Sequence, residues 1–297
     1  MDDRTVIVTG GNAGLGYETA KNIALSDPAY HVVLACRSRS RGEGAAASLR
    51  SETGNPRIQA MQLDLASLAS VRAFATTLSE EGLPPLFGIV CNAGISAAGV
   101  AGTPRTEDGF EMIFGVNHLG HFLLTNLLLP AMEDHGRIVF VTSDLHNPPA
   151  FFPAKVRYDS GAAIAHGKAG MAQYCTSKLC NIYCTYEMAR LIQEDTEKRI
   201  TVNAFNPGAM SDTGFATPDR QCRSPAAQSA SSAASWAHSS ANKAPPPNPG
   251  QPSLPSSQAP RSRTRPVPTS TAAHQPNRHP CPTTTPTPKN SGTPVRP

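Results

Sequence analysis

The last 80 residues of this chain lack almost everything a folded core requires. From Pro218 to Pro297 there is one acid, Asp219, against nine Lys/Arg. Trp236 is the only aromatic residue there, and Leu254, Val267 and Val295 are the only branched aliphatics. The same stretch holds 18 of the 28 prolines. So little apolar surface cannot offset the entropy of ordering the segment, which is therefore predicted to be disordered, with extended stretches near Pro245 to Pro249. Residues 1–217 hold 17 Lys/Arg and 21 Asp/Glu, a net charge of −4, so the overall +4 belongs to the tail. The tail lacks a repeated basic–aromatic pattern, and no specific nucleic-acid partner is expected of it.

Other absences narrow the rest. The seven cysteines are widely spaced and contain no Cys-x-x-Cys pair, which excludes a disulfide scaffold. Reduced thiols in the cytoplasm are the natural reading. Met1-Asp2-Asp3 leads straight into the first apolar run, so no signal peptide is expected. The Leu123–Leu129 cluster is interrupted by Thr125 and Asn126 and is too short to span a bilayer. His118 and His121 flank Gly120 with no further ligands in sequence, so packing and hydrogen bonding are expected of them rather than a metal site.

What is present alternates. Short β-branched runs at Arg4–Val8, His31–Ala35, Arg57–Leu63, Leu86–Val90 and Arg137–Val141 are separated by helical segments, including 68–78, 110–131 and 173–193. That order predicts an α/β, Rossmann-type, doubly wound parallel sheet in three layers, with ligands at the carboxyl ends of the strands. Residues 1–217 form this domain and 218–297 the tail.

The strand ends carry the chemistry. Thr9-Gly10-Gly11-Asn12-Ala13-Gly14-Leu15-Gly16 lies between the first strand and a helix. Gly10 permits the tight turn, Gly14 lets the backbone approach a pyrophosphate, and Gly16 lets the helix pack on the strand. The helix N-terminus then offers N–H groups to the phosphates. After the second strand, where an NAD site places an acid, stand Arg37, Arg39 and Arg41, with Glu43 the first acid beyond them. Guanidinium forks suit a 2′-phosphate, which predicts NADP(H). Asp64-Leu65 follows the third strand; the carboxylate either accepts from the adenine amine or caps the helix near Ser67. Asn92-Ala93-Gly94 follows the fourth strand and Thr142-Ser143 the fifth. Tyr174 and Lys178 stand four apart on one helical face. An ammonium one turn away favours the phenolate, so the tyrosine pKa is expected below its usual value of about 10. That would make it a general acid/base.

Ser143, Tyr174 and Lys178 beside TGxxxGxG, CNAG and Asn117 in FGVNHLGHF resemble the short-chain dehydrogenase/reductase family over about residues 4 to 215. The resemblance implies that Tyr174 exchanges a proton with the substrate oxygen, that Lys178 also holds the nicotinamide ribose, and that Ser143 binds the substrate oxygen. It implies that Asn117 supports a water-mediated relay through the lysine and that Asn92-Ala93-Gly94 stabilises the sheet beside the cofactor. Asn206-Pro207-Gly208 and Thr213 resemble the segment that holds the nicotinamide end. Within the family, HVVLACR, LDLASLASVR, NHLGHFLLTNLLL and Tyr-x-x-Ser-Lys-Leu-Cys-Asn resemble the light-dependent protochlorophyllide reductases and the retinol dehydrogenase-like reductases. The former carry a cysteine after the later Pro-Gly, where this chain has Ala209, which argues for a sister reductase.

The expected activity is hydride transfer to a carbonyl or conjugated double bond of an apolar small molecule, with Phe151, Phe152 and Tyr158 in the 147–171 excursion as candidate pocket wall. The alternatives are a non-catalytic cofactor-binding fragment and, on the same fold, a nucleotide-sugar epimerase, for which too little chain follows the sixth strand. Family members continue past Asn206-Pro-Gly with a substrate-binding helical region, a further helix and a seventh strand. The composition change at 218 reads instead as a shifted reading frame, a retained intron or a mis-joined gene. Homodimerisation, which in the family draws on those last elements, is correspondingly doubtful.

Overall fold

A computed structural model describes residues 3–97, 102, 104–156 and 158–208. Thr213, the expected domain boundary at 217 and the tail lie outside the described residues. The elements run β1 (Arg4–Thr9), α1 (Gly14–Ser26), β2 (Tyr30–Cys36), α2 (Arg39–Thr53), β3 (Ile58–Gln62), α3 (Leu68–Glu80), β4 (Leu86–Cys91), α4 (Met112–Ala131), β5 (Met132–Val141), α5 (Gly161–Ala165), α6 (Met171–Asp195) and β6 (Thr201–Phe205). The strands form one parallel sheet in the order β3-β2-β1-β4-β5-β6. The order reverses between β1 and β4, which opens a crevice at their carboxyl ends.

Both sheet faces are buried, so the strands are apolar at successive positions rather than alternately. Val6, Val8, Val32, Leu34 and Cys36 point to one face and pack with Tyr17, Ala20 and Ile23 of α1 and Ala46 and Leu49 of α2. Ile7, Val33, Ala35 and Ile89 point to the other, against Val71 and Phe74 of α3, Leu124 and Leu128 of α4, and Met188 and Ile192 of α6. The result is the three-layered doubly wound sheet expected. Among the described residues β6 is a sheet edge: Val202 is buried, whereas Thr201, Asn203 and Phe205 are exposed.

Three local features refine the sequence reading. Strand β5 begins five residues early, at Met132, because the register with β4 jumps from Leu86↔Met132 to Gly88↔Arg137. The extra residues turn through His135, held at φ 61°. The arginine run enters a helix: Ser38 caps α2, its Oγ accepting from Arg41 N at 3.4 Å, so Arg39 and Arg41 lie in the first helical turn. The helix expected over 110–131 forms, and its apolar character extends beyond the 123–129 cluster. Met112–Ala131 runs 20 residues at a mean hydropathy of 1.3, long and apolar enough to cross a membrane by length and composition. It is half buried, however, and Asn117, His121 and Thr125 on its inner side are hydrogen-bonded within the protein, as befits a central core helix.

Candidate active site

The glycine turn is shaped by contacts a side chain would destroy. Gly10 and Gly14 hold φ of +66° and +55°, where a Cβ is disfavoured. A Cβ on Gly16 would meet Gly10 O at 2.4 Å and Asn92 Nδ2 at 2.5 Å. Thr9 binds this turn to the end of β4: its Oγ1 accepts from Asn92 N and Ala93 N, both at 2.9 Å, and its carbonyl accepts Asn92 Nδ2 at 2.8 Å. The backbone N–H groups of Gly11 and Asn12 reach the buried Cys36 thiol, whose pKa burial pushes up to about 11. Helix α1 has Ala13 at its N-cap, with no side-chain cap and no acid in its first turn. Its first N–H groups and its positive dipole end are thus left for an anion, and the donor set fits the pyrophosphate of a dinucleotide.

The adenosine side is basic. Arg37 and Arg41 are exposed and join no ion pair among the described residues, whereas Arg39 pairs with Glu43 at 2.8 Å. Of the two roles open to Asp64, helix capping falls away. Ser67 caps α3 by accepting from Ser70 N, while Asp64 Oδ1 accepts from Ala66 N at 2.9 Å in a local turn. Leu65 points into the core, 6% exposed, and its carbonyl lies against Gly120 of α4.

Four elements deliver the catalytic candidates. Helix α4 enters through Glu111, a fully buried carboxylate that caps it by accepting from Ile113 N and Phe114 N. Glu111 N also donates to Ala165 O at 2.7 Å, tying the helix to α5. One turn on, Gly115–Leu119 widens into a π-helical turn that carries Asn117. Such turns recur at functional sites. Asn117 is gripped on all sides: Oδ1 accepts Ile95 N at 2.8 Å, and Nδ2 donates to Ile95 O at 3.0 Å and Ser177 Oγ at 3.2 Å. Tyr174, Ser177, Lys178 and Asn181 share one face of α6 and all are buried. Lys178 Nζ donates to Val141 O at 2.9 Å, and Thr142 Oγ1 donates back to Lys178 O at 3.0 Å, which locks α6 onto the end of β5. Ser143 follows, capping the short turn Asp144–His146 with its Oγ accepting from Leu145 N at 3.3 Å, and it lies close enough to the Tyr174 phenol to act on its pKa. Asn206 reaches Asp144 beside it, which brings Pro207 and Gly208 toward the same edge. A Cβ on Gly94 would lie 3.2 Å from Asn117 Oδ1 and 3.7 Å from Lys178 Nζ, so both polar ends converge on that glycine.

The electrostatics correct one expectation. The Tyr174 pKa is raised, not lowered: burial of the phenol dominates, and nearby Ser143 opposes it. Lys178 is itself pulled down to about 8 by burial, and its Nζ sits 5.7 Å from the centre of the Tyr174 ring. A spacing of four residues gives proximity along the helix; it does not report how completely both groups leave water. Ser177 and Asn181 stand in the Tyr-x-x-Ser-Lys-Leu-Cys-Asn motif, but the motif gave them no role. Their signal was their helical phase with Tyr174.

The apolar wall around Tyr174 is built by Ile113 and Cys175, with Ile95, Leu145, Phe152 and Val156 packed against them. Of the three aromatics expected there, only Phe152 arrives. Phe151 is 89% exposed, and Tyr158 packs edge-on against Tyr183, 5.9 Å between centroids. Among the described residues no cluster of metal-ligating side chains occurs.

Fold and site together define a doubly wound α/β protein with a glycine turn at its switch point and a buried tyrosine–lysine pair at the end of β5. Residues 4–154 match the short chain dehydrogenase family, and the chain belongs to it. It is 42% identical over 219 residues to dehydrogenase/reductase SDR family member 13 of Bos taurus, covering 71% of this chain and 53% of that protein. It is 41% identical over 209 residues to human retinol dehydrogenase 13, covering 69% and 58%. The chain thus spans little more than half the length of these relatives. A short chain dehydrogenase from Shigella flexneri 2a, solved in complex with NADP, superposes with a TM-score of 0.55 at 25% identity, covering 74% of this chain and 83% of that one.

Proposed function

We propose that the chain is an NADP(H)-dependent oxidoreductase that transfers hydride to a carbonyl or conjugated double bond of an apolar small molecule, with Tyr174 as general acid/base. The observation that carries this reading is the convergence of Lys178 Nζ and Asn117 Oδ1 on Gly94, with Tyr174 one turn before Lys178 on the same buried face of α6. NADPH, when bound, supplies the hydride. The glycine turn and the open start of α1 would hold its pyrophosphate, and Arg37 and Arg41 its 2′-phosphate. The relative solved with NADP supports that cofactor class. Ser143 orients the substrate oxygen toward the phenol, and Tyr174 gives its proton to that oxygen as negative charge develops. The raised phenol pKa suits the donating direction, since the proton is present at neutral pH. The cluster of Ile95, Leu145, Phe152 and Val156 excludes water from that transfer and favours an apolar substrate.

The test pairs two measurements: thermal stabilisation by NADPH, and NADPH oxidation across a panel of apolar aldehydes, ketones and enones. Both are expected. Tyr174→Phe should cut turnover by about 100- to 10,000-fold while leaving NADPH binding within about twofold. Unchanged turnover in that variant overturns the assignment. Stabilisation without turnover in the parent chain would favour a cofactor-binding protein without catalysis. The exposed β6 edge among the described residues is the observation in favour of that second reading.

A further inference from the structure

His121 is buried on the inner side of α4, and it touches both halves of the cleft. Its Nε2 lies 2.9 Å from Thr9 Oγ1 and its Nδ1 3.3 Å from the carbonyl oxygen of Asn117. Counting protons decides which way these bonds run. Thr9 Oγ1 already accepts two N–H groups, from Asn92 and Ala93, which occupies both its lone pairs. One hydroxyl proton remains, and His121 Nε2 at 2.9 Å competes for it with Val90 O at 3.3 Å. The Asn117 carbonyl can only accept. Both contacts are therefore satisfied by a single tautomer, with the ring proton on Nδ1 given to Asn117 O and Nε2 accepting from Thr9. Burial keeps the ring neutral, holding its pKa down to about 3. From the other side Asn181 Nδ2 donates to the same Asn117 carbonyl at 3.2 Å, and Asn181 Oδ1 is 2.9 Å from His118 Nδ1.

We propose that His121 is a positioning residue that couples the nucleotide turn at Thr9 to the π-helical turn at Asn117 through its neutral, Nδ1-protonated ring. Thr9 sets the glycine turn against Asn92 and Ala93, and Asn117 faces Lys178 across Gly94. A ring that leaves either partner frees the Thr9 hydroxyl to rotate toward Val90 or the Asn117 carbonyl to shift against Asn181. Packing alone would be served by a carbon ring. The hydrogen bonds need a group that accepts at one end and donates at the other. The kinetic side of the proposal rests on the reductase reading above; the binding and tautomer sides do not.

Three substitutions separate the two bonds. His121→Phe keeps volume and loses both. His121→Gln reaches the Nε2 position and keeps an acceptor for Thr9. His121→Asn reaches the Nδ1 position and keeps a donor for Asn117. The expected pattern is a loss of about five- to tenfold in both NADPH affinity and kcat for Phe, consistent with losing neutral hydrogen bonds. Gln should recover NADPH affinity alone, and Asn should recover kcat alone. In the parent protein, ¹⁵N shifts of labelled histidine should show a pyrrole-type Nδ1 and a pyridine-type Nε2. A proton on Nε2 overturns the proposal whatever the binding results, as does a folded His121→Phe with the parental NADPH affinity. If His121→Phe does not fold, the tautomer and the Gln/Asn split decide. If the parent binds NADPH without turnover, the reductase reading fails while affinity and tautomer still judge His121.

Discussion

The two sides of the cleft are built by different rules. On the nucleotide side the backbone does the shaping: Gly10 and Gly14 at positive φ, Gly16 with no room for a Cβ, and Thr9 bonded to the next strand end. On the substrate side, Leu145, Phe152, Val156 and Ala169 are held by apolar packing, with Phe152 turned in and Phe151 turned out. Geometry fixed by covalent structure tolerates almost no substitution, whereas geometry fixed by packing tolerates a range of side chains. A cofactor of constant shape suits the first, and a variable substrate suits the second.

The sharpest way to break this contrast is Gly16→Ala. The new Cβ would stand 2.4 Å from Gly10 O and 2.5 Å from Asn92 Nδ2, and backbone atoms cannot yield as a flexible side chain does. A cost of about 3 kcal/mol is expected, at the upper end for overpacking. Calorimetry and NADPH titration should show lost stability and binding together. A variant with parental NADPH affinity would mean the turn is softer than its contacts imply. Gly44→Ala is the matched control: nothing lies within 4 Å of its Cβ, so no loss is expected.

Acid should loosen the group the two sides share. The His121 pKa is depressed to about 3 from its usual 6.5, so below pH 6.5 the unfolded chain binds a proton that the folded one refuses. Stability is therefore complete above pH 6.5 and falls as pH drops toward 3, by about 2 kcal/mol between pH 6.5 and 5 from this group alone. His118 and His31, also depressed mainly by burial, add to the same slope. Denaturant melts at both pH values should show a flatter dependence in His121→Phe than in the parent. Equal slopes would remove the buried neutral ring from the account.

How much of this was legible follows from the same division. The alternation of strands and helices, the glycine turn and the phase of Tyr174 and Lys178 rest on local rules of backbone and helix geometry, and sequence alone reached them. The π-helical turn at Asn117 was out of reach because no local pattern in GVNHL separates it from an α-turn; it is held by Ile95, Ser177 and Asn181, distant in sequence. The direction of the Tyr174 shift was misread because the two opposed effects, charge and burial, differ in what they need: spacing gives the first, and only packing gives the second. Asp64 was left open between two roles that turn on which oxygen meets the α3 N–H groups, and Ser67 holds that place.

A smaller effect probes the adenosine end, where the backbone rule gives way to exposed charge. Arg37→Ala and Arg41→Ala each remove a guanidinium that neither pairs with Glu43 nor packs in the core. Each should weaken NADPH by about tenfold, the scale of one charge-assisted hydrogen bond, and leave NADH unchanged. Equal losses for the two cofactors would move the 2′-phosphate away from these residues.

The smallest effect tests the packing side itself. Phe151 and Phe152 are adjacent and chemically identical, so any difference between them measures position alone. Phe152 packs in the cluster around Tyr174 and Ile113, whereas Phe151 is 89% exposed. Phe152→Leu keeps most of the apolar surface and should raise KM for an apolar carbonyl by about two- to fivefold with kcat nearly unchanged, the signature of lost uniform binding. Phe151→Leu should leave both constants unchanged. A fall in kcat for Phe152→Leu would show that this wall also sets the Tyr174 geometry, and the substrate side would then share the rigidity of the nucleotide side. Equal effects at both positions would mean that the loop closes over the substrate with Phe151 turned inward, and the contrast between the two sides would hold only for the open cleft.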